Sequence, residues 1–323
     1  VTSAADIEAR LEAQLSQTLV RTHFTSRPRH EGKVRDIYDA GEHLVLVTTD
    51  RVSAFDHVLG TVPFKGEILT AMAVWGFEST EDIAPNHVVE LPDPNVLVAR
   101  KCRPYPVEFV VRGYATGSLW RDLEAGRAGV YGIDFPPDLE RHGPLPEPVL
   151  TPTTKAEAGR HDEPTSKREI LDDGLMTATE LEAAETLALS LYARGRELAA
   201  ERGLILADTK YELGLDADGR LTVIDEIHTP DSSRYWVAED YETRRRAGQA
   251  PQMLDKENLR EWLRTERGFR GDGVPPALDD AIRLTLCRRY MDVYARVLGA
   301  DFAPRPGPVE PRVHRNLAAA GWI

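Results

Sequence analysis

The chain has 323 residues, with 40 Lys and Arg against 53 Asp and Glu, for a net charge of −13. That length implies two domains, or one large domain with a lobe, and a hydrophobic content of 41% supplies a packed core. The acidic balance excludes a protein whose main task is gripping nucleic acid or an anionic membrane, because both need a basic face.

No apolar run approaches the length of about eighteen residues that a membrane span needs. The first residues carry Asp6, Glu8, Arg10 and Glu12, unlike a signal peptide. Cys102 and Cys287 stand in no metal-ligand spacing, so a disulfide framework and a structural zinc are not expected, and a reducing cytoplasm is. Only seven of the basic residues are Lys, at 33, 65, 101, 155, 167, 210 and 256. In a chain that writes Arg for generic positive charge, a Lys marks a place where a compact ammonium is wanted.

Taken in order, residues 3–20 predict a helix, with Ser3 as cap and Ile7, Leu11, Leu15 and Leu19 on one face. A hairpin follows over 30–50, turning at Asp39-Ala40-Gly41-Glu42. Residues 66–77 look helical. Two short apolar runs, 87–91 and 96–99, lead to Arg103-Pro104-Tyr105-Pro106, where a break and a domain boundary are expected. A strand restarts at Glu108. The proline-rich stretch 136–164 predicts a long loop. Thr177 and Glu180 form a capping box for a helix to Arg202, ended by Gly203. A short strand at 204–207, a hairpin over 211–227, helices near 256–267 and 276–298, and a proline-rich tail lying on the surface complete the chain. Without regular βαβ alternation, the class is α+β.

Six stretches concentrate chemistry. Gly32-Lys33-Val34-Arg35 lets a backbone approach phosphate while Lys33 reaches its oxygens; an exposed charged turn is the plain alternative, and the P-loop spacing is absent. Thr49 to Asp56 gathers polar groups after an apolar strand. Arg112, two glycines and Ser118 suit a phosphate monoester pocket, or else an ordinary glycine-rich connection. Thr151 to Lys155, with His161 and Asp162 beyond, suits a substrate loop or a solvated linker. Asp208, Lys210 and Glu212 alternate along a strand and share one face, and Asp225 and Glu226 return across the hairpin. Such carboxylates repel unless a cation sits among them, and Mg²⁺ with nucleotide phosphates is the expectation; the residues alone leave open whether Asp225 or Glu226 faces it. Asp231 and Arg234 follow directly. Together these describe ATP-dependent chemistry.

The motifs GKVRDIYD (32–39), TDRVSAFD (49–56), VRGYATGSLW (111–120), TPTTKAEAGRHDE (151–163), ADTKYELG (207–214) and VIDEIHTPDSSRYW (223–236) resemble, in order, those of the SAICAR synthetase family, in a longer form as in fungi. The resemblance implies a two-lobe α+β fold: a helical extension over 1–26, an antiparallel-sheet lobe over 27–104, a larger lobe over 105–323, and ATP between the lobes. It implies ligation of L-aspartate to carboxyaminoimidazole ribotide (CAIR) with ATP and Mg²⁺, through an acyl phosphate, by a monomer or homodimer. By analogy, Gly32, Lys33 and Arg35 meet the nucleotide phosphates, with Lys101 near the adenine. Arg112, Ser118 and Arg234 take the ribotide phosphate. Lys210, Asp208 and Asp231 sit at the reacting groups, Glu212 and Asp225 hold the metal, and Lys155, His161 and Asp162 belong to an aspartate loop. A small-molecule kinase and a non-catalytic nucleotide sensor are the rival readings.

Overall fold

The structure, a computed structural model, describes residues 3–55, 57–155, 163–254 and 257–323, and strands are counted over those residues. The chain divides into two compact units. One comprises Val1–Trp75, His87–Lys101 and Lys256–Ile323; the other comprises Gly76–Asn86 and Cys102–Asp255. The final stretch, Lys256–Ile323, thus clusters with the first unit rather than with the second.

The first unit opens with α1 (Ala4–Gln14), whose capping box is Ser3 with Asp6. It stops well short of residue 20. Gln14 turns its side chain to the Gln17 carbonyl and to Gly307, and the Leu19 amide is taken by Asp50 Oδ2 at 2.7 Å, so the main chain leaves the helix. The extension packs on its own unit, with Arg288 ion-paired to Glu8. Strands β1 (Arg29–Glu31), β2 (Arg35–Asp39), β3 (His43–Thr48), β6 (Val88–Asp93) and β7 (Val96–Arg100) form an antiparallel sheet in the order β1-β2-β3-β7-β6. The β2–β3 turn falls at the expected place, with Gly41 at φ +82 and its N–H on Asp39 Oδ1. A separate ribbon pairs β4 (Arg51–Ala54) with β5 (His57–Thr61), and α2 (Lys65–Glu78) follows.

In the second unit, β8 (Arg103–Tyr114) runs straight through the prolines expected to break the chain. Pro104 lies beside a bulge in the pairing, and the neighbouring β10 reaches only to Val107, so no ladder donor is missed there. After α3 (Gly117–Glu124) the predicted loop contains three strands, β9 (Pro144–Leu150), β10 (Thr153–Thr154) and β11 (Glu163–Pro164). β9 is an edge strand on β8, which is where alternating prolines are tolerated. Next come α4 (Lys167–Asp172) and α5 (Ala178–Glu201), the latter with the expected Thr177–Glu180 box. The short strand and hairpin arm merge into one strand, β12 (Leu204–Leu215), followed by β13 (Leu221–Ile224), β14 (Ser233–Val237) and α6 (Tyr241–Arg246). The sheet order is β11-β10-β8-β12-β13, with β14 also on β12 and β9 on β8.

The chain closes with α7 (Glu257–Glu266), α8 (Asp280–Leu298) and α9 (Val309–Ala319). The tail is therefore not a surface strap. Pro308 caps α9 and Pro311 sits in its first turn, where the missing N–H costs nothing. Val309, Val313 and Leu317 then enter the core with Tyr38, Val45, Val47, Val96 and Val98. Among the described residues no helix is long and apolar enough to cross a membrane.

Candidate active site

β12 carries Asp208, Lys210 and Glu212 at alternate positions, hence on one face. Across the pairing with β8, Asp208 meets Arg112, Lys210 meets Val110 and Glu212 meets Glu108. β14 places Arg234 opposite Asp208, and β13 places Ile224 opposite Glu212. The other face anchors the strand: Tyr211 shares a hydrogen bond of 2.8 Å with His228, and the Tyr192 hydroxyl donates to the Leu206 and Ala207 carbonyls.

At the Asp208 end, one carboxylate serves two guanidiniums. Arg234 Nη1 lies 2.8 and 2.7 Å from its two oxygens, and Arg112 Nη1 lies 3.3 Å from Oδ2. Arg112 also donates to Thr151 Oγ1 at 2.7 Å and to Ser118 Oγ at 2.8 Å. Burial pulls Arg112 below its ordinary value, Asp208 opposes this, and a guanidinium starts high enough to stay charged. Gly117, at φ +61 ahead of Ser118, permits this closeness: a Cβ there would stand 2.7 Å from Arg234 Cζ. The helix cap is Thr116, so Ser118 is spared for Arg112.

At the Glu212 end, ammoniums sit among acids. Lys210 Nζ is 2.5 Å from Glu108 Oε1 and 3.0 Å from Glu212 Oε1, and Lys155 Nζ is 2.5 Å from Glu212 Oε2. Thr153 Oγ1 donates to Glu108 at 3.0 Å. Burial alone would lower both lysines. Glu212 and Asp225 outweigh it at Lys155; Glu212, Glu108 and Asp225 do so at Lys210, and both ammoniums are held above the ordinary lysine value. Asp225 follows β13 in the left-handed region, at φ +68, and its charge bears on both lysines. Glu226 instead accepts from Thr229 Oγ1. Asp231 lies in the turn that docks on β12 through the Lys210 N–H to the Ser232 carbonyl, 2.9 Å.

Among the described residues no three His, Cys, Asp or Glu side chains converge as a metal cage. Mg²⁺ does not need one, since it binds one or two carboxylates and completes its shell with phosphate oxygens and water. Glu212 and Asp225 are a hard-oxygen donor pair of that kind.

In the first unit the Gly32 N–H donates to the Arg35 carbonyl at 2.8 Å, closing the turn that carries Lys33 into β2. Lys101 does not join it. Its ammonium pairs with Asp39 Oδ2 at 2.5 Å, at the opposite end of β2, roughly 14 Å of strand away. His161 and Asp162 lie outside the described residues. Sequence reasoning missed Glu108 as a site residue. Its signal was there: Glu108 and Arg112 are the charged positions of an otherwise apolar run and lie on one face at period two.

Residues 28–273 match the SAICAR synthetase family. The phosphoribosylaminoimidazole-succinocarboxamide synthase of Legionella pneumophila (strain Lens) is 45% identical over 305 residues, 93% of this chain and 97% of that protein. The chloroplastic enzyme of the same name from Arabidopsis thaliana is 45% identical over 313 residues, 95% of this chain and 76% of that protein. The SAICAR synthase of Saccharomyces cerevisiae, solved with SAICAR bound, superposes with a TM-score of 0.76 at 29% identity, covering 88% of this chain and 100% of that one. These matches define an ATP-dependent ligase with an α+β fold. The chain belongs to the SAICAR synthetase family.

Proposed function

We propose that the face of β12 is where this ligase holds CAIR and Mg²⁺. The reaction is ligation of L-aspartate to the carboxylate of CAIR, with ATP cleaved to ADP and phosphate, in purine biosynthesis. The observation that carries the assignment is the opposite residual charge at the two ends of one strand. Arg112 and Arg234 exceed Asp208 by one positive charge, and with Ser118 they suit the ribotide 5′-phosphate. Glu108, Glu212 and Asp225 exceed Lys155 and Lys210 by one negative charge, which suits a cation. Four residues of strand, roughly 14 Å, separate Asp208 from Glu212, comparable with a ribotide laid from phosphate to base carboxylate.

A carboxylate is a poor electrophile. Its oxygen attacks the γ-phosphorus of ATP and ADP leaves. The aspartate amine then adds to the acyl carbon, phosphate departs with the bridging oxygen, and the nitrogen gives up its proton. Lys210, held cationic by its neighbours, neutralises charge on the reacting carboxylate and on the transferred group rather than acting as a base. Glu212 and Asp225 would hold Mg²⁺, which when bound supplies charge neutralisation at the phosphates. Asp208 orients the two guanidiniums. Asp231, docked beside Lys210, and Lys155 order the incoming aspartate, with His161 and Asp162 assigned there by resemblance. Gly32, Lys33 and Arg35 take the nucleotide phosphates. A reducing cytoplasm suits the free thiols of Cys102 and Cys287.

The test is phosphate release from ATP, Mg²⁺ and CAIR, with and without L-aspartate, with mass analysis of the product. Aspartate-dependent release with formation of the succinocarboxamide is expected. A phosphorylated product made without aspartate would contradict the reading.

A further inference from the structure

Thr49 to Asp56 drew attention in the sequence, and the reaction above gives it no task. Arg51 is 3% exposed, yet it sits against main chain rather than core. Its Nε donates to the Lys33 carbonyl at 3.2 Å; its Nη2 donates to the carbonyls of Gly32 at 2.9 Å and Arg35 at 3.1 Å, and to Asp36 Oδ1 at 3.0 Å. Its Nη1 takes the Val20 carbonyl at 2.6 Å. The Val34 carbonyl goes to Thr49, whose N–H and hydroxyl lie 2.9 and 2.7 Å away. Every carbonyl from Gly32 to Arg35 is thus held by the Thr49–Arg51 segment.

In a planar trans peptide the C=O and the following N–H point in opposite directions. Drawing the Gly32 and Lys33 carbonyls onto Arg51 therefore aims the Lys33 and Val34 N–H groups away from it, as a pair of adjacent donors. Successive main-chain N–H groups presented together make an anion-binding concavity. One guanidinium reaches four carbonyls and Asp36 here from three nitrogens held in a fixed plane, whereas an ammonium has three donors on a single nitrogen and would leave part of this set unserved. We propose that Arg51 is a positioning residue that presets the Lys33 and Val34 amides, beside the Lys33 ammonium, to receive a phosphate of the nucleotide. Asp36 fixes the fork: its Oδ2 accepts from the Thr22 N–H at 2.5 Å and its Oδ1 faces Arg51.

The inference rests on reading the Gly32–Arg35 turn as the nucleotide-phosphate site, so the experiment separates the two. ADP with Mg²⁺ is the probe, followed by calorimetry and by amide hydrogen exchange over residues 32–36, in wild type, Lys33→Gln and Arg51→Lys. Expected are slowed exchange at the Lys33 and Val34 amides in wild type with ADP, and a tenfold or greater rise in Kd for ADP in Arg51→Lys. The KM for CAIR should stay within twofold, a split that mere loss of stability would not give. If Lys33→Gln weakens ADP but the wild-type amides exchange unchanged, the role of Arg51 is overturned and the nucleotide turn stands. If Lys33→Gln leaves ADP binding unchanged, the turn is not the nucleotide site and both ideas fall. Should Arg51→Lys not fold, the wild-type exchange result decides alone.

Discussion

The two ends of β12 share a strand, a face and a neighbour in β8, yet their charges are paired in opposite ways. At Asp208 a single acid is spread over two guanidiniums, and Arg112 is held further by Thr151 and Ser118. At Glu212 two flexible ammoniums are spread over three acids. The first end retains positive charge on planar guanidiniums, which suits an anion such as a phosphate. The second retains negative charge on side chains that can rearrange, which suits a cation arriving with its own ligands. What separates them is two residues of register on either side of Lys210, so a strand can set ligand polarity without any loop of special sequence.

The comparison can be broken most sharply at Asp225. Asp225→Asn should lower kcat on the order of a hundredfold to a thousandfold, with the fold intact and the KM for CAIR little changed. Phosphate-release kinetics over a Mg²⁺ titration would show it, and wild-type turnover would remove Asp225 from the metal site.

His228 lies behind the strand and should affect both ends alike. Burial holds it neutral, lowering its pKa from 6.5 to about 4. The unfolded chain takes up the proton first as pH falls, so its contribution is complete above about 6.5 and is lost progressively toward 4, about 3 kcal/mol in all. Urea unfolding of wild type against His228→Gln between pH 7 and 4.5 checks this; equal slopes for the two would contradict it.

Gly117→Ala acts on the Asp208 end alone. The added Cβ meets Arg234 Cζ at 2.7 Å and suffers the positive φ, so the KM for CAIR should rise about tenfold and stability fall by about 1 kcal/mol. An unchanged KM would detach Arg234 from the ribotide. The mildest expected change is Glu108→Gln. It removes one of the three acids around Lys210, and kcat should fall about threefold while the lysine pKa drops. A lysine titration moved upward instead would contradict the charge balance.

Much of this was legible in the chain. Period two along 208–212 put the three charges on one face, and the capping box at Thr177 marked the helix beside the sheet. The order of motifs gave the family. Misreadings came from proline. Pro104 and Pro106, the prolines of β9, and Pro308 and Pro311 all read as interruptions, yet each stands where the backbone donates to no partner: a bulge, an edge strand, a first helical turn. Sequence alone cannot tell such places from breaks, because the distinction depends on which strand lies alongside. Glu108 was hidden for a similar reason. Its partner Lys210 is 102 residues away, and only the pairing of β8 with β12 brings them to 2.5 Å.

The most direct test of the opposed ends is diffraction at the manganese edge from crystals grown with Mn²⁺, ADP and CAIR. The account predicts an anomalous peak within coordination distance of Glu212 and Asp225, with the CAIR phosphate on Arg112, Arg234 and Ser118. A manganese peak at Asp208, or the phosphate of CAIR on Lys155 and Lys210, would contradict it.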